Sequence, residues 1–131
     1  MIERKSGSIL NVASTAAFQP GPGMAVYFAT KAFVLSFSEA LHEEVGKKGV
    51  TVSALCPGPT STEFGAVAGF GPSNLLDKVA ADSPSVVRAG LDGLKKGRAI
   101  IVPGLMNKAS AQANRFFPRS LVRKAAGMLK P

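Results

Sequence analysis

The chain has few residues that could cross-link it or hold a metal ion, since its 131 residues include one cysteine, one histidine and no tryptophan. A single cysteine excludes an intramolecular disulfide. Cys56, at the end of an apolar run, is expected to be a small buried residue rather than a reactive thiol. His42 has no cysteine or carboxylate at metal-ligand spacing on a second element, so we predict a surface position for it and no metal site.

Long apolar runs are also missing from the sequence. No stretch reaches the roughly eighteen apolar residues that indicate a membrane-spanning helix. Residues 1–6 have no apolar core of the kind found in signal peptides, so we expect a cytoplasmic protein. The length is that of one domain, and a composition of 46% hydrophobic and 18% charged residues is typical of globular proteins.

Acidic residues are absent from the C-terminal part of the chain. Residues 1–92 contain seven Lys or Arg and eight Asp or Glu, whereas residues 93–131 contain nine Lys or Arg and no acid. A tail of this charge attracts nucleic acid, anionic lipid or acidic proteins in general. A solvated basic helix that keeps the protein soluble explains the same charge, and we favour it. We therefore predict no nucleic-acid partner and keep a membrane surface as a less favoured partner.

The spacing of apolar residues predicts strands that alternate with helices. The predicted strands are 8–13, 50–55 and 98–103, and the predicted helices are 25–46, 74–81, 84–96 and 106–130, the last interrupted at Pro118. Ser83 and Pro84 are expected to cap and begin the helix at 84–96. Strands joined by helical crossovers form a parallel sheet, so the fold class is α/β, with a domain at 1–104 and a basic helical tail at 105–131. Three strands leave the first with an unpaired edge, which is an aggregation hazard.

Three polar residues near the first strand and helix could act together. Ser14 ends the strand, and Tyr27 and Lys31 lie four residues apart on the helix that follows, where such side chains share a face. An ammonium beside a phenol favours the phenolate, which makes the pair a candidate acid and base. The strand end and the first helical turns face the same space, so the serine hydroxyl and the phenol can meet on one substrate oxygen. Tyr and Lys also fall at this spacing by chance, so the pair alone is a weak signal.

Three segments resemble, in order and in spacing, the classical short-chain dehydrogenase/reductase family: Ile9–Ser14, Tyr27–Lys31 and Pro57–Thr62. The resemblance covers residues 5–103. It implies the C-terminal part of a Rossmann-type doubly wound parallel sheet, with about three parallel strands, intervening helices and a helical basic tail. It also implies an oxidoreductase that depends on NAD or NADP and reduces carbonyls or oxidises alcohols.

By this resemblance Ser14, Tyr27 and Lys31 form the catalytic set. Tyr27 moves a proton to or from the reacting oxygen, and Ser14 hydrogen-bonds that oxygen as charge develops on it. Lys31 assists the phenol, and both Tyr27 and Lys31 contact the nicotinamide end of the cofactor, Lys31 through the ribose. The cofactor supplies the hydride.

The resemblance places the nicotinamide end of the cofactor at the turn formed by Pro57 and Gly58 and at the threonines after it. Thr60 and Thr62 are both candidates, and Thr62 matches the family position better, although either could cap a following helix. The segment 64–83, where the family has its substrate lid, is mostly small and apolar. It indicates a small apolar carbonyl or alcohol as substrate.

Two features of the family are absent from the 131 residues. One is the Gly-rich turn that binds the dinucleotide phosphates, and the other is the asparagine on the helix before the Ser14 strand. We therefore interpret the chain as the C-terminal half of such an enzyme, beginning at an internal methionine and inactive as given, with NAD or NADP selected in the other half. In the full-length form the Tyr27 helix implies a homo-oligomer. The alternative is a non-catalytic fragment that acts as an interaction or peripheral membrane-binding module.

Overall fold

A computed structural model describes residues 1–63, 67 and 79–128. Most of the predicted helix 74–81 and of the apolar segment 64–83 lies outside the described residues, as does the end of the predicted tail. The elements are β1 (Gly7–Val12), a 3₁₀ helix (Thr15–Phe18), α1 (Ala25–Gly46), β2 (Val50–Leu55), β3 (Thr60–Ser61), β4 (Ala81–Asp82), α2 (Ser83–Lys95), β5 (Ile100–Ile101), α3 (Leu105–Ala113) and α4 (Arg119–Met128).

The sheet has three parallel strands in the order β1-β2-β5, with β2 in the centre. The pairing of β1 with β2 runs from Gly7 opposite Val50 to Val12 opposite Leu55. Long helical connections join the parallel strands, so the predicted α/β class with three parallel strands is confirmed. A second, two-stranded parallel sheet formed by β3 and β4 was not predicted.

The third strand is shorter than the predicted 98–103. Only Ile100 and Ile101 belong to it, although the ladder begins one residue earlier, where the Ala54 amide donates to the Ala99 carbonyl. The pattern of apolar residues indicates which segment is extended, but it does not show how many of its residues pair with a neighbouring strand. Pro103 has no N–H to donate, and the chain leaves the sheet before it.

The central strand β2 is covered on both faces, which explains why five of its six residues are buried. Helix α1 packs on one face and α2 on the other. The core on the α1 side contains Ala13, Leu35, Ala54 and Cys56, and the core on the α2 side contains Leu55, Val86 and Ile101. By contrast β1 is a partly exposed strand, in which the Val12 side chain is 56% exposed. Within the described part of the chain its only strand neighbour is β2.

The helix boundaries follow the sequence closely, with one shift at α2. Helix α1 has the predicted bounds 25–46. The N-cap of α2 is Asp82 rather than the predicted Ser83, because the Asp82 carboxylate accepts a hydrogen bond of 2.9 Å from the Ser85 amide. This amide, with the Ser85 hydroxyl, lowers the pKa of Asp82. The Ser83 hydroxyl donates instead to the Ser61 carbonyl, at 2.8 Å, and Pro84 lies in the first turn as predicted.

The tail is helical, as predicted, and its two helices α3 and α4 are separated by a turn that contains Pro118. Among the helices in the described ranges, none combines the length and the apolar character that crossing a bilayer requires.

Two glycines at the end of α1 should respond in opposite ways to alanine. Gly49 has a φ of 79°, and a Cβ there would collide with the Lys5 carbonyl oxygen, whereas Gly46 is helical and faces open space. We expect Gly49→Ala to lower the free energy of unfolding by about 2 kcal/mol or more, because the left-handed conformation alone costs an L-residue about 1–2 kcal/mol. Gly46→Ala should be neutral or stabilising, by up to about 1 kcal/mol. Urea unfolding of the two variants measures both effects, and a Gly49→Ala protein as stable as the parent would contradict the assignment.

Candidate active site

The site lies at the carboxyl edge of the sheet, where the hydrogen-bond ladder continues beyond the ends of β1 and β2. The Ala13 amide donates to the Leu55 carbonyl at 2.7 Å, and the Thr15 amide donates to the Pro57 carbonyl at 2.9 Å. Ser14 is therefore held between two backbone bonds, beside the turn that begins at Pro57. Ligands of open α/β sheets bind at this kind of edge, outside the carboxyl ends of the strands.

The Ser14 side chain is half-buried and caps the 3₁₀ helix that follows it. Its Oγ accepts a hydrogen bond of 3.1 Å from the Ala16 amide and lies 3.5 Å from the Pro57 carbonyl oxygen. The second distance is at the long limit for a hydroxyl donor, so that bond is weak. The Ser14 oxygen is thus fixed in place by its bond from the Ala16 amide, but the hydroxyl proton can turn to another acceptor at small energetic cost.

Tyr27 and Lys31 lie on the first turns of α1, and both side chains are half-buried. The Lys31 Nζ is 5.8 Å from the centroid of the Tyr27 ring, within the range of a cation–π contact. The same Nζ donates a hydrogen bond of 3.1 Å to the carbonyl of Val12, the last residue of β1. The structure therefore brings Lys31 beside Tyr27 and anchors it to the strand end two residues before Ser14. The Tyr27 ring also packs edge-on against Phe28, with 5.8 Å between the centroids.

The turn formed by Pro57 and Gly58 is held from two sides. Thr60 is half-buried, and its Oγ1 donates to the Gly58 carbonyl at 3.0 Å, so it supports the turn rather than capping a helix. On the other side lies Asn107, because a Cβ on Gly58 would be 2.5 Å from both Nδ2 and Oδ1 of that side chain. Asn107 is fixed in turn by a bond of 2.9 Å from its Nδ2 to the Pro103 carbonyl. Sequence reasoning missed Asn107, since nothing local relates it to a turn about fifty residues earlier.

The predicted cofactor residues after β2 divide into two groups. Pro57, Gly58 and Thr60 form one connected turn beside Ser14. Thr62 is exposed and directly follows β3.

The tail packs along the loop that connects Ser14 with Tyr27. The Asn114 Nδ2 donates to the Gln19 Oε1 at 3.1 Å, which joins α3 to the end of the 3₁₀ helix. A Cβ on Gly127 would lie 3.8 Å from Pro22, so α4 contacts the same loop. The two tail helices therefore help to position the segment between the candidate catalytic residues.

Three other polar residues belong to the scaffold. The Asn11 Nδ2 donates to the Ser38 Oγ at 2.9 Å, which joins β1 to α1. The surface position predicted for His42 is wrong, because the ring is half-buried and its Nδ1 lies 2.7 Å from the Val52 carbonyl. Helix α1 crosses β2 at this point, and the imidazole satisfies a strand carbonyl there. Cys56 is fully buried, as predicted, and burial raises the pKa of its thiol to about 11.

Comparison with known proteins gives consistent matches. The family model described as short chain dehydrogenase matches residues 1–69. The chain is 39% identical over 83 residues to the very-long-chain 3-oxoacyl-CoA reductase of Mus musculus, which covers 63% of this chain and 25% of the relative. It is 41% identical over 64 residues to the 3-oxoacyl-[acyl-carrier-protein] reductase of Synechocystis sp., which covers 49% of this chain and 26% of that protein.

Among solved structures, a short-chain dehydrogenase from Sphingobium yanoikuyae in complex with NADPH matches this fold with a TM-score of 0.72 and 32% identity. The match covers 86% of this chain and 43% of that one. The chain thus spans about a quarter of the length of the two curated relatives and less than half of the solved structure.

The buried thiol of Cys56 should not react with Ellman's reagent in the folded protein. With a pKa of about 11, about one thiol in a thousand is ionised at pH 8, and reagent access is blocked. Because this pKa is raised above the ordinary 9.0, the contribution of the thiol to stability is complete below pH 9 and is lost as the pH rises through 11. A cysteine at the exposed position 36, made in a Cys56→Ala background as Ser36→Cys, is the control and should react rapidly. Equal rates for Cys56 and the control would contradict this assignment.

The contact between Gly58 and Asn107 can be tested with a double-mutant cycle. Gly58→Ala should lower the free energy of unfolding by about 1–3 kcal/mol, because the new methyl group displaces the amide that is bound to Pro103. In an Asn107→Ala background the same change should cost about 1 kcal/mol less, since the obstructing amide is gone. Denaturant unfolding of the four proteins gives the coupling energy, and a value near zero would show that the two residues are independent.

Proposed function

Because the chain belongs to the short-chain dehydrogenase family, we propose that it carries the catalytic residues of an NAD(P)-dependent oxidoreductase that interconverts a carbonyl and an alcohol. The observation that supports this most directly is the grouping at one sheet edge. Ser14 lies beside the Pro57 turn, and Lys31 is bound to the last carbonyl of β1 with Tyr27 next to it.

In this proposal Tyr27 is the acid in reduction and the base in oxidation. Its phenol gives a proton to the carbonyl oxygen, or takes one from the alcohol, while the Lys31 cation stabilises the phenolate. The Ser14 hydroxyl exchanges its weak bond to the Pro57 carbonyl for one to the reacting oxygen. It is already positioned by the Ala16 amide, so little reorganisation is needed when negative charge develops on that oxygen.

The residues present fit the nicotinamide end of a dinucleotide. Lys31 presents an ammonium at the strand end for the ribose hydroxyls, and the turn of Pro57 and Gly58, which Thr60 and Asn107 support, lies beside Ser14. Thr62 completes the proposed set. When bound, the cofactor supplies the hydride. The Sphingobium relative is in complex with NADPH, and both NAD and NADP remain within the proposal.

The proposed substrate is an apolar carbonyl compound or the corresponding alcohol. The two curated relatives are a 3-oxoacyl-CoA reductase and a 3-oxoacyl-[acyl-carrier-protein] reductase, which makes 3-oxoacyl compounds the first class to test. A homo-oligomer through α1 is part of the proposal, because the outer face of this helix exposes Val26, Phe33 and Phe37, and the last two rings stack at 5.8 Å. The cytoplasmic location stays a prediction from the sequence.

The 131 residues alone are proposed not to turn over. Within the described residues, no Gly-rich turn directly follows a strand of the three-stranded sheet, and such a turn is what holds the pyrophosphate in dinucleotide-binding sheets. Any activity therefore depends on a form of the protein that includes such a segment.

Tyr27→Phe tests the proposed chemistry in a form that carries a Gly-rich dinucleotide-binding half. We expect the variant to lose about 10²–10⁴-fold in kcat for reduction of 3-oxoacyl and simple ketone substrates, because the transition state loses its acid. The Kd for NADPH, measured by fluorescence, should change little. Phe33→Tyr adds the same hydroxyl at an exposed position of the same helix and should leave both values unchanged.

A Tyr27→Phe enzyme that kept most of its kcat would exclude Tyr27 as the acid. If no form of the protein bound either cofactor, the non-catalytic alternative would be the better account. The exposed face of α1 and the edge of β1 that has no strand neighbour among the described residues are the surfaces that such an interaction module would offer.

A further inference from the structure

The tail presents a surface that combines exposed apolar side chains with cations, and we call it the Phe116 surface. Phe116 and Phe117, in the turn before α4, are 84% and 58% exposed. Leu121 and Met128 on α4 are also exposed, at 55% and 85%. The exposed cations of this surface are Arg115, Arg119, Arg123 and Lys124.

Packing of the tail against the rest of the protein uses other residues. Ala111 is buried, and Val122, Ala126 and Gly127 are half-buried, while Asn114 makes the bond to Gln19. These residues thus pack the tail against the loop between Ser14 and Tyr27, and the large apolar residues of the tail remain exposed. If the apolar residues of the tail served only to pack against the rest of the protein, the burial of Ala111 and Val122 would be explained, but the exposure of the two phenylalanines would not.

The charge of this surface has one sign. No acidic residue follows Asp92 in the sequence, so the tail contains no acidic side chain that could neutralise its cations. A second copy of the same surface would bring cations against cations, which opposes a symmetric self-association. A complementary partner is anionic at its surface and apolar just beneath it.

We propose that the Phe116 surface attaches the protein peripherally to a bilayer that contains anionic lipid. The two phenylalanine rings enter the boundary between headgroups and acyl chains, and the arginines contact the anionic headgroups. The combination matters because a few inserted side chains or a few charges alone give weak, reversible binding.

Vesicle co-sedimentation of the 131-residue chain tests this proposal. The chain should bind vesicles of phosphatidylcholine mixed with phosphatidylserine and should not bind vesicles of phosphatidylcholine alone. Binding should be lost near 1 M salt, where the screening length falls to about 3 Å. Equal binding to neutral vesicles, or binding that does not depend on salt, overturns the proposal.

Two tail variants separate the contributions. Replacing Arg115, Arg119, Arg123 and Lys124 by Gln should weaken binding by about a hundredfold or more, at roughly fivefold per charge. Phe116→Ser with Phe117→Ser should weaken binding to anionic vesicles by at least about tenfold while its salt dependence remains. All six side chains are exposed, so far-UV circular dichroism should not change.

Matched controls lie on α2 and after the end of α1. Lys47→Gln with Lys48→Gln removes two exposed cations, and Val87→Ser removes an apolar side chain that is 53% exposed. Both controls should bind as the parent does. If a control loses as much binding as the tail variants, or if the tail variants bind like the parent, the tail is not the attachment site. Absence of binding to anionic vesicles also overturns the proposal. In that case sedimentation equilibrium would show whether substitution of Phe116 and Phe117 changes the molecular mass of the protein. Such a change would assign the surface to a protein contact.

Discussion

The parallel ladder between β1 and β2 continues beyond both strands, and the candidate site depends on that continuation. The amides of Ala13 and Thr15 remain bound to the carbonyls of Leu55 and Pro57, so the residue between them has little freedom. The position of Ser14 relative to the Pro57 turn is therefore set by the backbone and not by its own side chain. Burial of β2 on both faces stabilises this ladder, because the central strand cannot move without exposing two cores at once.

Helix α1 connects this edge to the second part of the candidate site. Leu35 packs in the core with Ala54 and Cys56, one turn after Lys31. The first turns of the helix are thereby held against the strand end, where Lys31 reaches the Val12 carbonyl. Cys56 lies within this core, and its thiol fills space as a small apolar group does. The chemistry proposed for Tyr27 therefore rests on the same packing as the sheet.

The features that the sequence predicted well are those that local patterns determine. The bounds of α1 and β2 match because helical spacing and a cluster of β-branched residues are properties of neighbouring residues. The i and i+4 relation of Tyr27 and Lys31 follows from helix geometry in the same way. The cap of α2 moved by one residue because Asp82 and Ser83 are both good caps, and only the contact of Ser83 with β3 decides between them.

The features that the sequence did not predict depend on contacts between distant residues. His42 is half-buried because a β2 carbonyl lies within its reach, and a single histidine on a helix gives no sign of that. Asn107 supports the Gly58 turn across about fifty residues, and Asn114 bonds to Gln19 across 95. Polar side chains of this kind have no periodic pattern, so their partners become visible only when the fold brings them together.

The difference between local sequence patterns and contacts of distant residues matters most in the tail. From the sequence alone, the apolar tail residues that pack against the protein cannot be distinguished from the exposed ones, because both kinds recur at helical spacing. The structure separates them, since Ala111 is buried and Val122 half-buried while Phe116 and Phe117 are exposed. The same helices hold the loop between Ser14 and Tyr27 through Asn114. Attachment of the Phe116 surface to a bilayer would therefore hold the loop between Ser14 and Tyr27 close to the membrane, where the apolar substrate proposed above would be concentrated, without requiring a helix that crosses it.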